Sequence, residues 1–217
     1  MSMEKAAFII VDVQNDFCPG GSMAVTGGNE IIGPINSLLQ DNSRSGGELF
    51  RKVVATADWH PQHHISFASE HEGMQAFEAV QVNELTQNLW PKHCVAGSRG
   101  AELHPDLRDE YIDLILRKGT RPSLDSYSAF FENDGTTPTG LSGYLHDFGI
   151  DDVYLCGLAF DWCVYFSALD AHRLGFHTFV LEDLTRAVDV PVGMAAERRE
   201  TLVRKEIEVR NVRSLYE

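Results

Sequence analysis

Six short apolar runs alternate with helix-like segments along this chain, and this alternation constrains the fold more than any other feature. The first run, residues 6–11, is continuously apolar and partly β-branched, as is typical of a strand covered on both faces. The other predicted strands cover residues 52–57, 111–116, 153–156, 177–181 and 207–209. Apolar residues at helical spacing predict helices over 31–39 (with Asn29 as N-cap), 141–148, 163–174 and 195–203. We therefore expect a three-layer α/β/α sandwich with a mainly parallel sheet of about six strands.

The length of 217 residues allows one sizeable hydrophobic core and is short for two domains, so residues 1–217 are predicted to form a single domain. Residues 58–110 interrupt the alternation, because they have little periodicity and many His, Trp, Pro and Gly residues. A loop-rich segment of this length inside a compact domain is usually functional.

Composition disfavours several classes of function. The formal net charge of −14 argues against a surface for nucleic acid or an anionic membrane. The longest apolar runs are too short to cross a bilayer. Residues 1–5 do not resemble a secretory signal. Because secreted proteins are the ones that usually form disulfides, the four cysteines are expected to be reduced thiols. We therefore expect a cytoplasmic protein that binds neither nucleic acid nor membrane, with a homo-oligomer left open.

Polar or reactive side chains follow four of the predicted strands. Asp12, Asp58 and Lys118 come at the ends of the first three strands, and Cys163 follows the turn after the fourth. Ligands of parallel α/β sheets bind at the carboxyl ends of the strands. One aspartate or lysine in such a place is usually a cap or a solvated side chain, but four such groups together favour an active site.

Cys163 comes where a strand, a turn at Gly157 and a helix succeed one another. A helix N-terminus favours a thiolate, so the thiol is expected to ionise more readily than its usual pKa of about 8.5 allows. A lone cysteine beside apolar residues is more often a small buried hydrophobe. Asp12 as a base and Lys118 as its orienting partner favour the nucleophile instead. Backbone N–H groups around Ala159 and Cys163 are then expected to form an oxyanion hole.

A second cluster combines a carboxylate with imidazoles. Asp58 and His60 point to the same side if their segment is extended, and His63, His64 and His93 are further candidates. Such a set suits Zn²⁺, Fe²⁺ or Mn²⁺. The spacing alone leaves open the alternative that nine histidines are scattered by chance.

Six sequence blocks together resemble a known family. They are residues 11–17 (VDVQNDF), 58–67 (DWHPQHHISF), 90–94 (WPKHC), 117–119 (RKG), 125–130 (DSYSAF) and 157–164 (GLAFDWCV). With these blocks the chain resembles the nicotinamidases of the isochorismatase-like cysteine hydrolase superfamily. The aspartate, lysine and cysteine mark the superfamily, whereas the blocks at 58–60 and 90–94 mark the nicotinamidase branch.

The resemblance implies hydrolysis of nicotinamide to nicotinate and ammonia through a thioester on Cys163, as a step of NAD salvage, with pyrazinamide as an accepted analogue. It also implies that Asp12 is the acid and base and that Lys118 is its partner.

The resemblance further implies one divalent metal ion held by Asp58, His60 and His93, with zinc preferred and iron or manganese as alternatives. His64 matches a position that binds the metal in only some relatives. The segment between His64 and Trp90 is longer than in compact bacterial members and resembles eukaryotic ones.

The implied substrate pocket is largely aromatic. Phe17, Trp90, Tyr127 and Leu158 are its expected lining, and stacking is typical of aromatic walls around a flat ligand. The bond from Leu158 to Ala159 matches a cis peptide of the family. Phe160 and Trp162 are bulkier than the residues many relatives carry, so they either narrow the access or pack away from it.

Two other functions compete with this one. A related amidohydrolase acting on another small amide or carbamoyl compound would keep Asp12, Lys118 and Cys163 but would have little use for the histidines. A non-catalytic binding homologue is disfavoured because all three catalytic residues are present.

Overall fold

A computed structural model describes residues 5–82 and 84–216, and a parallel sheet of six strands lies at its centre. The described residues form eight strands, six in this sheet and two in a separate hairpin. They are β1 (Ala6–Val11), β2 (Lys52–Asp58), β3 (Ala79–Val82), β4 (Leu85–Asn88), β5 (Leu114–Lys118), β6 (Asp152–Leu158), β7 (His177–Arg186) and β8 (Glu208–Arg210), of which β3 and β4 form the hairpin. The central sheet has the order β5-β2-β1-β6-β7-β8, and each neighbouring pair in it is parallel. The prediction of a mainly parallel sheet of about six strands is confirmed.

Helices cover both faces of this sheet. They are α1 (Ile32–Arg44), α2 (Leu141–Asp147), α3 (Tyr165–Arg173) and α4 (Met194–Arg204). Because successive side chains of a strand point to opposite faces, β1 contributes to two separate cores. Phe8 and Ile10 lie in the cluster that includes the apolar stripe of α1, whereas Ala7 and Ile9 lie in the cluster that includes buried residues of α2, α3 and α4. The three-layer α/β/α architecture is therefore confirmed.

Several predicted boundaries are wrong, among them the end of β7, which is predicted at residue 181 and lies at Arg186. The strand expected at 111–116 begins at Leu114, because the chain first makes a short 3-10 turn at Asp109–Tyr111. Asn29 is not the N-cap of α1, since it lies inside a 3-10 turn (Gly28–Ile31) that precedes the helix. The helix expected from Cys163 begins instead at Tyr165, after a π-helical turn (Phe160–Val164).

The loop-rich segment 58–110 contains more regular structure than its sequence suggests. Strands β3 and β4 pair with each other as an antiparallel hairpin apart from the main sheet. Two residues after β4, Trp90 pairs with Phe67 in an isolated bridge.

The order of the strands determines where a ligand can bind. β1 lies between β2 and β6. After β1 the chain adds β2 and β5 on one side of it, and β6, β7 and β8 then follow on its other side. The crevice between the carboxyl ends of β1 and β6, where the strand order reverses, is the usual ligand site of an open parallel sheet. Asp12 follows β1 directly, and Cys163 lies in the turn after β6. The two residues therefore flank this crevice.

Within residues 5–82 and 84–216, no helix is both long enough and apolar enough to cross a bilayer. Met1 to Glu4, on which the prediction about a secretory signal partly depends, lie outside the described residues.

Candidate active site

Lys118, the last residue of β5, is the cation at the centre of the site. Its Nζ atom lies 2.8 Å from Asp12 Oδ2 and 2.5 Å from Asp58 Oδ1, and it donates to the carbonyl of Ser126 at 2.9 Å. Burial would lower the pKa of Lys118, but the two carboxylates raise it well above its usual range. The side chain is therefore a buried ammonium shared between two acids.

Asp12 is the acid with a proton to exchange. Its Oδ1 accepts a hydrogen bond of 2.7 Å from the hydroxyl of Thr56, whereas Oδ2 forms the ion pair with Lys118. Burial raises the pKa of Asp12 to about 6, against the opposing effect of Lys118 and with a further rise from Asp58. A carboxyl group with a pKa near neutrality can both take up and release a proton during catalysis.

Cys163 contacts the same ammonium as the two carboxylates. Its Sγ atom is 3.5 Å from Lys118 Nζ, and the donor atoms of Asp12, Asp58 and Cys163 all lie within 4.8 Å of one another. Burial raises the pKa of the thiol well above its usual range, although Lys118 lowers it. The expectation of an easily ionised thiol is therefore wrong. The thiol keeps its proton until a base removes it.

A close approach between β1 and β6 places the turn that carries Cys163. A Cβ atom at Gly157, whose φ is +106°, would overlap the backbone of Val11. Glycine at this position lets the two strands meet. The cis peptide expected between Leu158 and Ala159 is present. Ala159 and Cys163 then both line the pocket described below.

Asp58, His60 and His93 form a compact donor set. Asp58 Oδ2 lies 3.5 Å from His60 Nε2 and 3.8 Å from His93 Nε2. The Nδ1 atom of His60 bonds to the carbonyl of Gly119 at 2.9 Å, and that of His93 to the carbonyl of Pro91 at 2.7 Å. Because a carbonyl only accepts, each Nδ1 carries the proton and each Nε2 is free to bind a metal. One carboxylate and two such imidazoles fit a divalent metal ion.

The charges of this set agree with metal binding. Burial would raise the pKa of Asp58, but Lys118 and His60 outweigh it and hold the pKa below its usual range. Burial, helped by His60, lowers the pKa of His93 to about 4. For His60, burial would lower the pKa, but the neighbouring Asp58 raises it. An ionised carboxylate and a neutral imidazole are the forms that bind a metal, so Asp58 and His93 are in that form and His60 must lose a proton to join them.

His64 lies beside this set but has other partners. Its ring stacks on His60 with 4.2 Å between centroids, and its side chain is fully buried. Its Nδ1 lies 2.7 Å from the hydroxyl of Ser66, and its Nε2 lies 3.4 Å from the carbonyl of Leu124. The donor atoms of His64 lie close to those of His60 and Asp125, not to the complete set with Asp58 and His93.

The pocket next to Cys163 and the donor set is largely aromatic. Phe17, Trp90 and Tyr127 line it, together with Met23, Val25, Asp58, His60, His93, Asp125, Ala159, Trp162, Cys163 and Val188. Trp90 donates from Nε1 to the hydroxyl of Tyr127 at 3.2 Å, which fixes two walls relative to each other. Leu158 is fully buried and belongs to the core beneath, rather than to the lining.

The sequence leaves open whether Trp162 narrows the access or packs away from it, and in the structure Trp162 forms a wall of this pocket. Its ring meets that of Trp90 edge to face, with 4.6 Å between centroids, and lies 5.2 Å from that of Tyr127. Phe160 instead packs into the core on the face covered by α2, α3 and α4. The two bulky neighbours of Asp161 therefore differ: Trp162 narrows the pocket and Phe160 packs away from it. The position of Trp162, directly before the nucleophile, was the signal available in the sequence.

The long segment between His64 and Trp90 also contributes to the site. Gln87 of β4 donates to Asp125 Oδ2 at 3.0 Å, and Phe77 meets Trp90 edge to face at 5.9 Å between centroids. The hairpin and the residue two positions before it therefore support a polar residue and an aromatic wall of the pocket.

Comparison with known proteins gives consistent matches. The sequence profile of the isochorismatase domain matches residues 6–199. A nicotinamidase of Acinetobacter baylyi is 48% identical over 186 residues, which are 86% of this chain and 83% of that protein. A solved structure of a nicotinamidase/pyrazinamidase from Acinetobacter baumannii is 44% identical, with a TM-score of 0.91 over 98% of each chain. The pyrazinamidase of Pyrococcus horikoshii in complex with zinc is 31% identical, with a TM-score of 0.76 over 95% of this chain and 99% of that one.

Proposed function

We infer from these matches and from the site that this chain, which belongs to the isochorismatase family, is an amide hydrolase that converts nicotinamide to nicotinate and ammonia. The observation that carries the inference is that Lys118 joins the thiol of Cys163, the carboxylate of Asp12 and the metal-ligand set through Asp58. A nucleophile, its base and a donor set for a divalent ion thus adjoin one aromatic pocket.

The first half-reaction forms a thioester. Asp12 takes the proton of the Cys163 thiol, and the ammonium of Lys118 stabilises the thiolate as it forms. The sulfur attacks the amide carbon, and the backbone N–H groups of Ala159 and Cys163 donate to the developing oxyanion. Asp12 then gives its proton to the leaving nitrogen, so the C–N bond breaks and ammonia departs.

The second half-reaction releases the acid. Asp12, again ionised, takes a proton from a water molecule as that water attacks the thioester carbon. The C–S bond breaks, the sulfur recovers its proton from Asp12, and the nicotinic acid that leaves loses its own carboxyl proton to solvent as nicotinate. The carboxyl group therefore acts twice as base and twice as acid, which its pKa of about 6 permits.

Asp58, His60 and His93 would hold one divalent ion, and the zinc complex of the Pyrococcus horikoshii relative favours zinc over iron or manganese. When bound, such an ion supplies a Lewis acid that can hold the pyridine nitrogen, directly or through a water molecule. Asp58 divides its two oxygens between Lys118 and the two histidines, so it couples the donor set to the catalytic residues.

The walls of the pocket suit a flat heteroaromatic amide. Phe17, Trp90 and Tyr127, joined by Trp162, surround the space beside Cys163. Aromatic walls favour a planar ring through stacking and edge-to-face contacts. A carbamoyl compound without a ring would leave these walls unused, so the alternative substrate class is not favoured.

Turnover and metal content measured on one sample test this function. We expect the purified protein to release ammonia and nicotinate from nicotinamide, with pyrazinamide as a slower or comparable analogue, and to contain close to one divalent ion per chain. Chelation should abolish turnover and zinc should restore it. Turnover of a carbamoyl compound in preference to nicotinamide, or full nicotinamide turnover without metal, would contradict the proposal.

Four further predictions accompany the activity. The reaction places the protein in NAD salvage, where nicotinamide is recovered. A cytoplasmic location and a homo-oligomer stay predictions, which cell fractionation and analytical ultracentrifugation would test. His64 as an additional metal ligand would be tested by the zinc content of His64→Ala.

A further inference from the structure

Asp161 is a fully buried acid that the proposed mechanism does not use. It lies in the turn Phe160–Val164, two residues before Cys163, and its side chain has no exposure to solvent. A buried carboxylate is costly unless its oxygens are satisfied. The partners of Asp161 therefore indicate why the residue is there.

Those partners are two consecutive backbone N–H groups from a distant segment. Oδ1 accepts from the N–H of Val188 at 3.0 Å, and Oδ2 accepts from the N–H of Asp189 at 2.8 Å. Both belong to the connection between β7 and α4. Hydrogen bonds to an ionised acceptor are stronger than those between neutral groups. The carboxylate of Asp161 therefore holds the connection between β7 and α4 against the turn that contains Cys163.

The fastened segment reaches the substrate pocket. Val188 lines the pocket together with Trp162 and Cys163. Asp189, which has a φ of +52°, in turn accepts from the N–H groups of Gly193 and Ala195 at the start of α4. The carboxylate of Asp161 thus fixes Val188 relative to Cys163. The carboxylate of Asp189 holds the other end of the same connection at the start of α4.

We propose that Asp161 is a positioning residue that sets Val188 against the substrate ring and thereby sets the KM for nicotinamide. The proposal rests on the proposed function, because its readout is nicotinamide hydrolysis. A role in folding alone would change stability without a selective effect on KM. The two roles therefore make different predictions.

Asp161→Asn is the first variant, because it keeps the shape of the side chain and removes one of the two acceptors. We expect its KM for nicotinamide to rise about tenfold, as loss of one charge-assisted hydrogen bond implies, while kcat changes little. Asp161→Glu, which keeps the carboxylate, should recover part of this loss. Val192→Ala is the control, since Val192 lies in the same connection but is 93% exposed, and its KM should equal that of the unmodified protein.

Val188→Ala tests the other end of the interaction. Val188→Ala should also raise the KM for nicotinamide. The KM of the double variant Asp161→Asn/Val188→Ala should be close to that of the more affected single variant, rather than raised by the product of the two single-variant factors. Full additivity on a logarithmic scale would overturn the proposal, as would a folded Asp161→Asn with unchanged KM. If Asp161→Asn does not fold, an unchanged KM in Val188→Ala overturns it by itself. An unmodified protein that does not hydrolyse nicotinamide would instead contradict the proposed function.

Discussion

The Nζ atom of Lys118 lies 3.5 Å from the Sγ atom of Cys163, and the same nitrogen is 2.8 Å from Asp12 and 2.5 Å from Asp58. One ammonium therefore contacts the nucleophile, its base and a metal ligand. Because all four side chains are buried, the protonation of each one depends on the charges of the other three. The site acts as one electrostatic unit, and the first prediction concerns its centre.

Replacing Lys118 by Met should damage both activity and stability. The variant keeps the bulk of the side chain but leaves two buried carboxylates without their cation, which costs on the order of 3–5 kcal/mol when a buried pair is broken. We expect ammonia release to fall by at least about a hundredfold and the free energy of unfolding to fall in urea titrations. Lys205→Met is the matched control at an exposed lysine and should change neither quantity. Unchanged activity in Lys118→Met would remove Lys118 from the mechanism.

The pH dependence of kcat/KM should report the pKa of Asp12. This acid must be ionised to take the thiol proton, and its pKa in the folded protein is about 6. Protonation below that value removes the base, so kcat/KM should fall about tenfold for each pH unit on the acid side. A profile on the metal-loaded protein tests this, and a rate that stays constant well below pH about 6 would contradict the assignment.

Loss of His93 should remove the metal, whereas loss of His63 should not. His93 is buried, with its Nε2 facing Asp58, but the side chain of His63 is 77% exposed and lies 3.1 Å from Glu70. We expect His93→Ala to lose most of its bound zinc in elemental analysis, together with its activity. His63→Ala should keep both. Equal zinc content in the two variants would place the metal elsewhere.

The alignment of four functional residues could be predicted from the sequence because a parallel sheet brings the carboxyl ends of its strands to one edge. Asp12, Asp58 and Lys118 each end an apolar run, so their approximate place follows from the strand assignment alone. Even the error in the start of β5 did not matter, because the strand still ends at Lys118. The same strand assignment therefore predicts both the fold and the edge of the sheet at which the site lies.

The remaining features depend on tertiary contacts that the local sequence does not contain. The pKa of Cys163 rises because the turn is buried, which a position near a helix start does not reveal. Thr56 reads as part of an apolar strand, yet its hydroxyl donates to Asp12. Trp162 becomes a pocket wall only because Trp90 and Tyr127 arrive from distant segments to meet it. The hairpin of β3 and β4 lacks a strong period and was therefore missed.

A methyl group at Gly119 should displace a metal ligand. A Cβ atom there would collide with the ring of His60, whereas one at Gly46 would meet nothing within 4 Å. Both glycines have positive φ, +62° and +74°, so Gly119→Ala and Gly46→Ala should share a similar cost of backbone strain. Only Gly119→Ala should lose zinc and nicotinamide turnover. Equal zinc affinity in the two variants, by competition with a chelator, would show that the position of His60 is not what the metal requires.

The central claim is that nicotinamide is hydrolysed through a bond to the sulfur of Cys163, and Cys163→Ala tests it most directly. Cys156→Ala is the control, because Cys156 is a fully buried cysteine within β6 rather than in the pocket. Ammonia release from nicotinamide should be measured on both variants after circular dichroism and metal analysis show that each is folded and loaded. We predict no detectable ammonia from Cys163→Ala and substantial release from Cys156→Ala. Release from Cys163→Ala at the rate of the unmodified protein would contradict the account.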